Sequence, residues 1–145
     1  MKFASHIIVQ RPVSDIAGRL ADPDHPLAWQ QDLVSITRLD GVPGAPGSTA
    51  LYSYDDKGRS FELTETIESV SQAGTTAVYE APNLRHTITT TFTADGPAST
   101  VMTVENDLRL SGPAKLAGPL LAKSLRAQAD AKLAGFKAWV EAPVG

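Results

Sequence analysis

A chain of 145 residues and 15.3 kDa has the size of one domain and can enclose a full core. With 42% apolar and 20% charged residues its composition is globular, which sets aside a disordered or fibrous chain. A net charge of −3 argues against a nucleic-acid binder, and the lack of cysteine excludes disulfides, thiolate metal sites and cysteine nucleophiles.

Residues 3–9, Phe-Ala-Ser-His-Ile-Ile-Val, are rich in β-branched side chains and predict a strand. Pro12 then sits where a first helical turn would begin, followed by Val13, Ile16, Ala17 and Leu20 at helical spacing up to Asp22-Pro23. A second short helix is predicted over Pro26 to Gln31, with Asp24 as its N-cap. From Leu33 to Leu110 strand-like runs alternate with turn signals such as Asp56-Lys57-Gly58, Pro82-Asn83 and Asp95-Gly96-Pro97. The runs are 33–39, 48–54, 59–70, 75–81, 84–94 and 98–110, which with the first makes seven strands. Their short connections favour an antiparallel meander. The loop Gly41–Gly47 lacks the Lys-Ser/Thr of a phosphate loop and reads as a hairpin connection at the mouth of a cavity.

Over 113–141, Leu121, Leu125, Ala129, Leu133, Phe136 and Val140 form one apolar stripe at helical spacing. Lys115, Lys123, Arg126, Asp130, Lys132 and Lys137 fall mostly off it, and their basic excess reads as a solvated face. The helix is expected to start around Pro119, or at Pro113 with a kink. The fold class is therefore α+β, a curved seven-stranded antiparallel sheet gripping a long C-terminal helix, with two short helices after strand one. A curved sheet and one helix rarely fill the space between them, so a cavity is expected.

Five segments in this order are similar to one superfamily. They are Arg11-Pro12-Val13-Ser14-Asp15-Ile16, the Asp22-Pro23 to Trp29 segment, Leu63-Thr64-Glu65-Thr66-Ile67, the Asp95-Gly96 turn with Ser99 to Val104, and the long terminal helix. Thr66 stands where the pattern usually has a basic residue. The chain resembles the START-like (SRPBCC) helix-grip proteins, and within them the polyketide cyclase/dehydrase and lipid-transport group. The resemblance implies a deep apolar cavity for lipids, polyketides or similar molecules. It does not imply one reaction, because the scaffold serves binders, transporters and enzymes.

The period of two along each strand assigns the inward faces. Inward are Phe3, Ser5, Ile7 and Val9, then Ser48, Ala50, Tyr52 and Tyr54, then Phe61, Leu63, Glu65 and Ile67. Thr75, Ala77, Tyr79 and Ala81 follow, then His86, Ile88, Thr90 and Phe92, and last Met102, Val104, Asn106 and Leu108. Glu65 stands where an apolar residue is expected, so it is a candidate proton donor or base, or the partner of a tyrosine hydroxyl. His86 is the inward histidine and a second acid–base candidate, whereas His6 and His25 fall on an outer face and a loop. The expected ligand-binding set is Tyr52, Tyr54, Leu63, Glu65, Tyr79, His86, Ile88, Thr90, Met102 and Leu125. Trp29 reads as a plug between the helical elbow and the sheet, and Trp139 as packing or surface.

Neither a metal site nor a cofactor is expected, because no second histidine stands at ligand spacing. No apolar run reaches about 18 residues, so stable membrane insertion is not expected. The N-terminus is too weak for a signal peptide, and a cytoplasmic protein with a single START-like domain over 1–145 is the expectation. A homo-oligomer is compatible with the sequence, although no residue argues for it. The favoured function is binding of a hydrophobic or amphipathic small molecule. The alternatives are a cyclase/dehydratase-type enzyme moving protons through Glu65 or His86, and a protein-interaction module.

Overall fold

The computed structural model describes residues 1–143. Its elements are β1 (Lys2–Val9), α1 (Val13–Leu20), α2 (Pro26–Trp29), β2 (Leu33–Asp40), β3 (Thr49–Asp56), β4 (Arg59–Ser71), β5 (Gly74–Ala81), β6 (Leu84–Ala94), β7 (Thr100–Leu110), a 3₁₀ turn (Gly112–Ala117) and α3 (Gly118–Glu141). All seven strands form one antiparallel sheet in the order β1-β7-β6-β5-β4-β3-β2. The meander from β2 to β7 pairs each strand with the next, and β1 adds to β7. β1 and β2 are thus the two edges, and α1 and α2 carry the chain from one to the other. This is the expected helix-grip arrangement.

Local chemistry sets the turns. Between β3 and β4 only Lys57 (φ 54°) and Gly58 (φ 84°) intervene, both left-handed, as a two-residue hairpin loop needs to match strand twist. The Asp55 carboxylate accepts a hydrogen bond from the Gly58 N–H at 3.0 Å and locks that turn. Strand facing follows the period of two up to Ile67 in β4, where a register shift before Ser69 inserts one residue. Beyond that bulge Val70 takes the inward side.

The helices differ from expectation in detail. Asp24 does not cap α2: His25 occupies the N-cap position without a side-chain hydrogen bond, and Asp24 pairs with Arg38 instead. α2 stops at Trp29 because Gln30 is already extended (φ −95°, ψ 107°). Pro12 precedes α1 as its N-cap residue. Both expected starts of the last helix are present in part, a 3₁₀ turn holding Pro113 and then α3 with Pro119 in its first turn. At 24 residues α3 is about 36 Å long and crosses the sheet.

Two apolar clusters form the core. One joins Val9, Ile16, Phe92 and Met102 to Leu133, Phe136 and Val140, so it clamps the C-terminal half of α3 to α1 and to the β1–β7–β6 side. The other comprises Leu33, Ala50, Tyr52 and Tyr54, with Ile36, Phe61, Leu63 and Tyr79 packed against it on β2–β5. The N-terminal half of α3 is held less: Leu121 and Leu125 are half-buried and Leu120 is 78% exposed, as is Leu116 (91%) in the 3₁₀ turn before it. No helix among the described residues is long and apolar enough to cross a membrane.

Candidate functional site

Between the two clusters lies a cavity of about 610 Å³, inside the range of roughly 300–1,000 Å³ usual for small-molecule pockets. Its floor is the inner face of β3–β7, its roof is Leu125 to Phe136 of α3, and one end is closed by α1, α2 and Gly44 of the β2–β3 loop.

The polar groups of the floor are ordered by register. Ala50, Glu65, Tyr79, His86 and Leu108 pair in succession across β3, β4, β5, β6 and β7, so Glu65, Tyr79 and His86 stand side by side in one row. Glu65 is 7% exposed, and the Tyr79 hydroxyl donates to its Oε2 at 2.7 Å. Tyr52 packs edge-on against Tyr79, with ring centroids 5.8 Å apart. Burial, and then the Glu65 charge, push the Tyr52 and Tyr79 hydroxyls well above the ordinary phenol range, so both remain neutral donors facing the carboxylate. At the other end of the row His86 Nε2 lies 2.8 Å from Asn106 Oδ1. Burial pulls the His86 pKa down, the Asn106 contact opposes that, and Lys132 adds to the fall. Asn106 is 3% exposed, and its Nδ2 has no partner among the described residues.

From the roof comes Lys132. Its Nζ sits 4.6 Å from the centre of the Tyr54 ring, a cation–π contact, and Tyr54 in turn stacks on Phe61 and donates its hydroxyl to Gln30 Oε1 at 3.1 Å. Lys132 therefore lines the cavity and does not belong to the solvated helix face to which its spacing assigned it.

The family profile described as polyketide cyclase/dehydrase and lipid transport matches residues 1–141. The chain belongs to that family. No curated protein matches it in sequence. Among solved structures, a START superfamily protein from Mycobacterium smegmatis superposes with a TM-score of 0.80 at 14% identity, over 97% of each chain. The Zhui aromatase/cyclase from a Streptomyces species gives 0.78 at 15% identity, over 97% of this chain and 93% of that one. A norcoclaurine synthase from Thalictrum gives 0.70 at 15% identity, again over 97% and 93%. At such identities the likeness is one of fold.

In this polyketide cyclase/dehydrase and lipid-transport domain all ten sequence-selected residues meet at the cavity. Tyr52, Tyr54, Leu63, Glu65 and Tyr79 come from β3–β5, His86, Ile88, Thr90 and Met102 from β6 and β7, and Leu125 from α3. Sequence reasoning missed Lys132, Gln30 and His25. His25 precedes α2 in a loop, as its sequence position predicts, and its ring stacks on Trp29 and on Trp139, with centroids 6.1 and 5.8 Å away. The Trp29 indole N–H donates to His25 Nδ1 at 3.1 Å. An indole can only donate, so Nδ1 carries the lone pair and the ring is neutral. The signal for this was the i, i+4 spacing of His25 and Trp29. Trp139, from α3, could only be added by the fold.

Burial holds His25 at a pKa of about 4, against an ordinary 6.5, with Asp22 opposing. Below pH 6.5 the unfolded chain takes up a proton that the folded one refuses until about pH 4. The stabilisation is complete above pH 6.5 and is lost as the pH falls towards 4, a change on the order of 2–3 kcal/mol. Urea unfolding of the wild type should show that acid-side loss. His25→Phe keeps the stack and should flatten it, and an equally steep loss in the variant would show that the ring is not shielded.

Proposed function

We propose that the protein binds a hydrophobic or amphipathic small molecule, of the lipid or polyketide kind, between the sheet and α3. The observation that supports this most is the cavity itself, about 610 Å³ of mostly apolar wall with a few polar groups placed in register. Apolar burial supplies affinity, while Glu65, the tyrosine hydroxyls and His86 fix orientation. The ligand-binding set is the ten residues named above.

The row of Glu65, Tyr79 and His86 favours a second reading, in which the cavity folds a reactive polyketide and the row moves protons during cyclisation or dehydration. The Zhui aromatase/cyclase shares the fold, which keeps that reading in view.

The test is titration with the fluorescent apolar probe phenylnaphthylamine, together with native mass spectrometry of the freshly purified protein. Saturable emission that bound molecules can displace is the expected result. No binding and no co-purifying molecule would remove the binding reading. Glu65→Gln with His86→Gln then separates the two roles. If the groups are anchors, affinity falls. If they carry protons, affinity stays and conversion of a linear polyketone to cyclised product stops.

A further inference from the structure

Lys132 is the one basic side chain that α3 sends into the cavity, although the helix carries four other basic or neighbouring-turn cations, Lys115, Lys123, Arg126 and Lys137, on its outside or at its ends. It shares the cavity lining with Tyr54, Leu133 and Phe136, and its Nζ lies over the Tyr54 ring. Among the described residues its ammonium makes no hydrogen bond and no ion pair, whereas Lys137, one turn and a residue further on, bonds both the Glu141 carboxylate and the Ile8 carbonyl. The groups that face Lys132 are Tyr54 through its ring, Asp32 and Asp56 from the β2 and β3 side, and His86 from the floor. Burial pulls the Lys132 pKa down, and Asp32 and Asp56 oppose that without pairing with the amine. An ammonium has three donors and no acceptor capacity, and a ring face satisfies none of them in the way an oxygen does. Leaving a partly buried cation without an oxygen partner is unfavourable, so the position makes physical sense when the occupant brings one.

The floor limits where such an oxygen can go. The carboxylate of Glu65, already held by Tyr79, repels an acidic group from the centre of the sheet. The far wall around Ile88, Phe92, Met102 and Val104 is apolar. Resting on the binding role proposed above, we infer that the natural ligand is an amphipathic organic acid whose carboxylate meets Lys132 beside Tyr54, with its apolar body lying over β6 and β7. The ligand thus has one orientation, set by a cation on the helix and an anion on the sheet.

The test uses two competitors of equal chain length, dodecanoate and dodecanol, displacing phenylnaphthylamine from the full chain. In the wild type dodecanoate should compete at least about tenfold better than dodecanol, the scale of one charge-assisted contact. Lys132→Met should bring the two competitors together while phenylnaphthylamine still binds. Lys132→Arg should keep the preference, and Lys123→Met, on the exposed face, should not change it. Equal competition by acid and alcohol in the wild type, or a preference that survives Lys132→Met, overturns the inference while leaving the cavity role standing. Failure of phenylnaphthylamine to bind the wild type overturns both. Loss of probe binding in Lys132→Met alone leaves Lys132→Arg to decide: an arginine variant that binds the probe without the acid preference also overturns it.

Discussion

Gly74→Ala is expected to abolish the stable fold or to weaken it by at least about 3 kcal/mol. Gly74 opens β5 after the tight turn Ser71–Ala73, and that turn is tied on both sides. The Ser71 hydroxyl accepts from the Ala73 N–H at 3.2 Å, and the Ala73 carbonyl accepts from the Phe92 N–H of β6 at 2.8 Å. A Cβ on Gly74 would stand 2.0 Å from the Thr90 backbone oxygen. The obstacle is backbone within a sheet, so it cannot swing aside as a flexible side chain would. β5 and β6 would have to part at the edge of the cavity, next to Phe92 of the main core cluster. Gly58→Ala is the matched control: it also has a positive φ (84°), but nothing lies within 4 Å of its would-be Cβ. It should cost only about 1 kcal/mol, the backbone term alone. Urea unfolding of the two variants measures the difference, and similar losses would show that the β5–β6 approach is not tight.

Phe136→Ala is expected to lower stability by about 3–5 kcal/mol. The ring is 2% exposed, meets Trp29 edge-on at 5.2 Å between centroids and lies 5.9 Å from Trp139. With Trp139, which stacks on His25, it joins the anchored half of α3 to the α2 elbow, and its loss removes the wedge against Trp29. Phe136 also borders the cavity. Deleting it enlarges a space that is already present, and an apolar ligand can reoccupy that volume. Phenylnaphthylamine should therefore raise the Tm of Phe136→Ala more than that of the wild type. A loss below about 1 kcal/mol would mean that the elbow is held by other contacts.

The architecture was legible because its signals are local. The turn chemistry at Lys57-Gly58, Asn83 and Gly96 placed the strand ends to within about two residues, and the alternation of Phe61, Leu63, Glu65 and Ile67 settled which face of β4 looks inward. It also singled out Glu65, since a carboxylate in an apolar alternation is visible in one dimension. What was hidden depended on distant partners. The stack on His25 needs Trp139, which lies more than a hundred residues away. Lys132 flanks Leu133 on the apolar stripe, and only the curvature of the sheet beneath decides on which side of that stripe the cavity opens. The bulge after Ile67 likewise moved Val70 inward without any mark in the sequence.

The uneven hold on α3 has a consequence for how such a protein changes over generations. Leu133, Phe136 and Val140, which anchor the core, sit in the last turns of the helix, and the first two also line the cavity, whereas Leu125, Gln128 and Ala129 roof it from the looser stretch. Part of the ligand-facing surface is thereby separated along the helix from the residues that secure the fold, while Leu133 and Phe136 serve both. Substitutions in the looser stretch can resize or recharge the chamber while the clamp keeps the chain folded, so new specificities can arise without passing through unfolded ancestors.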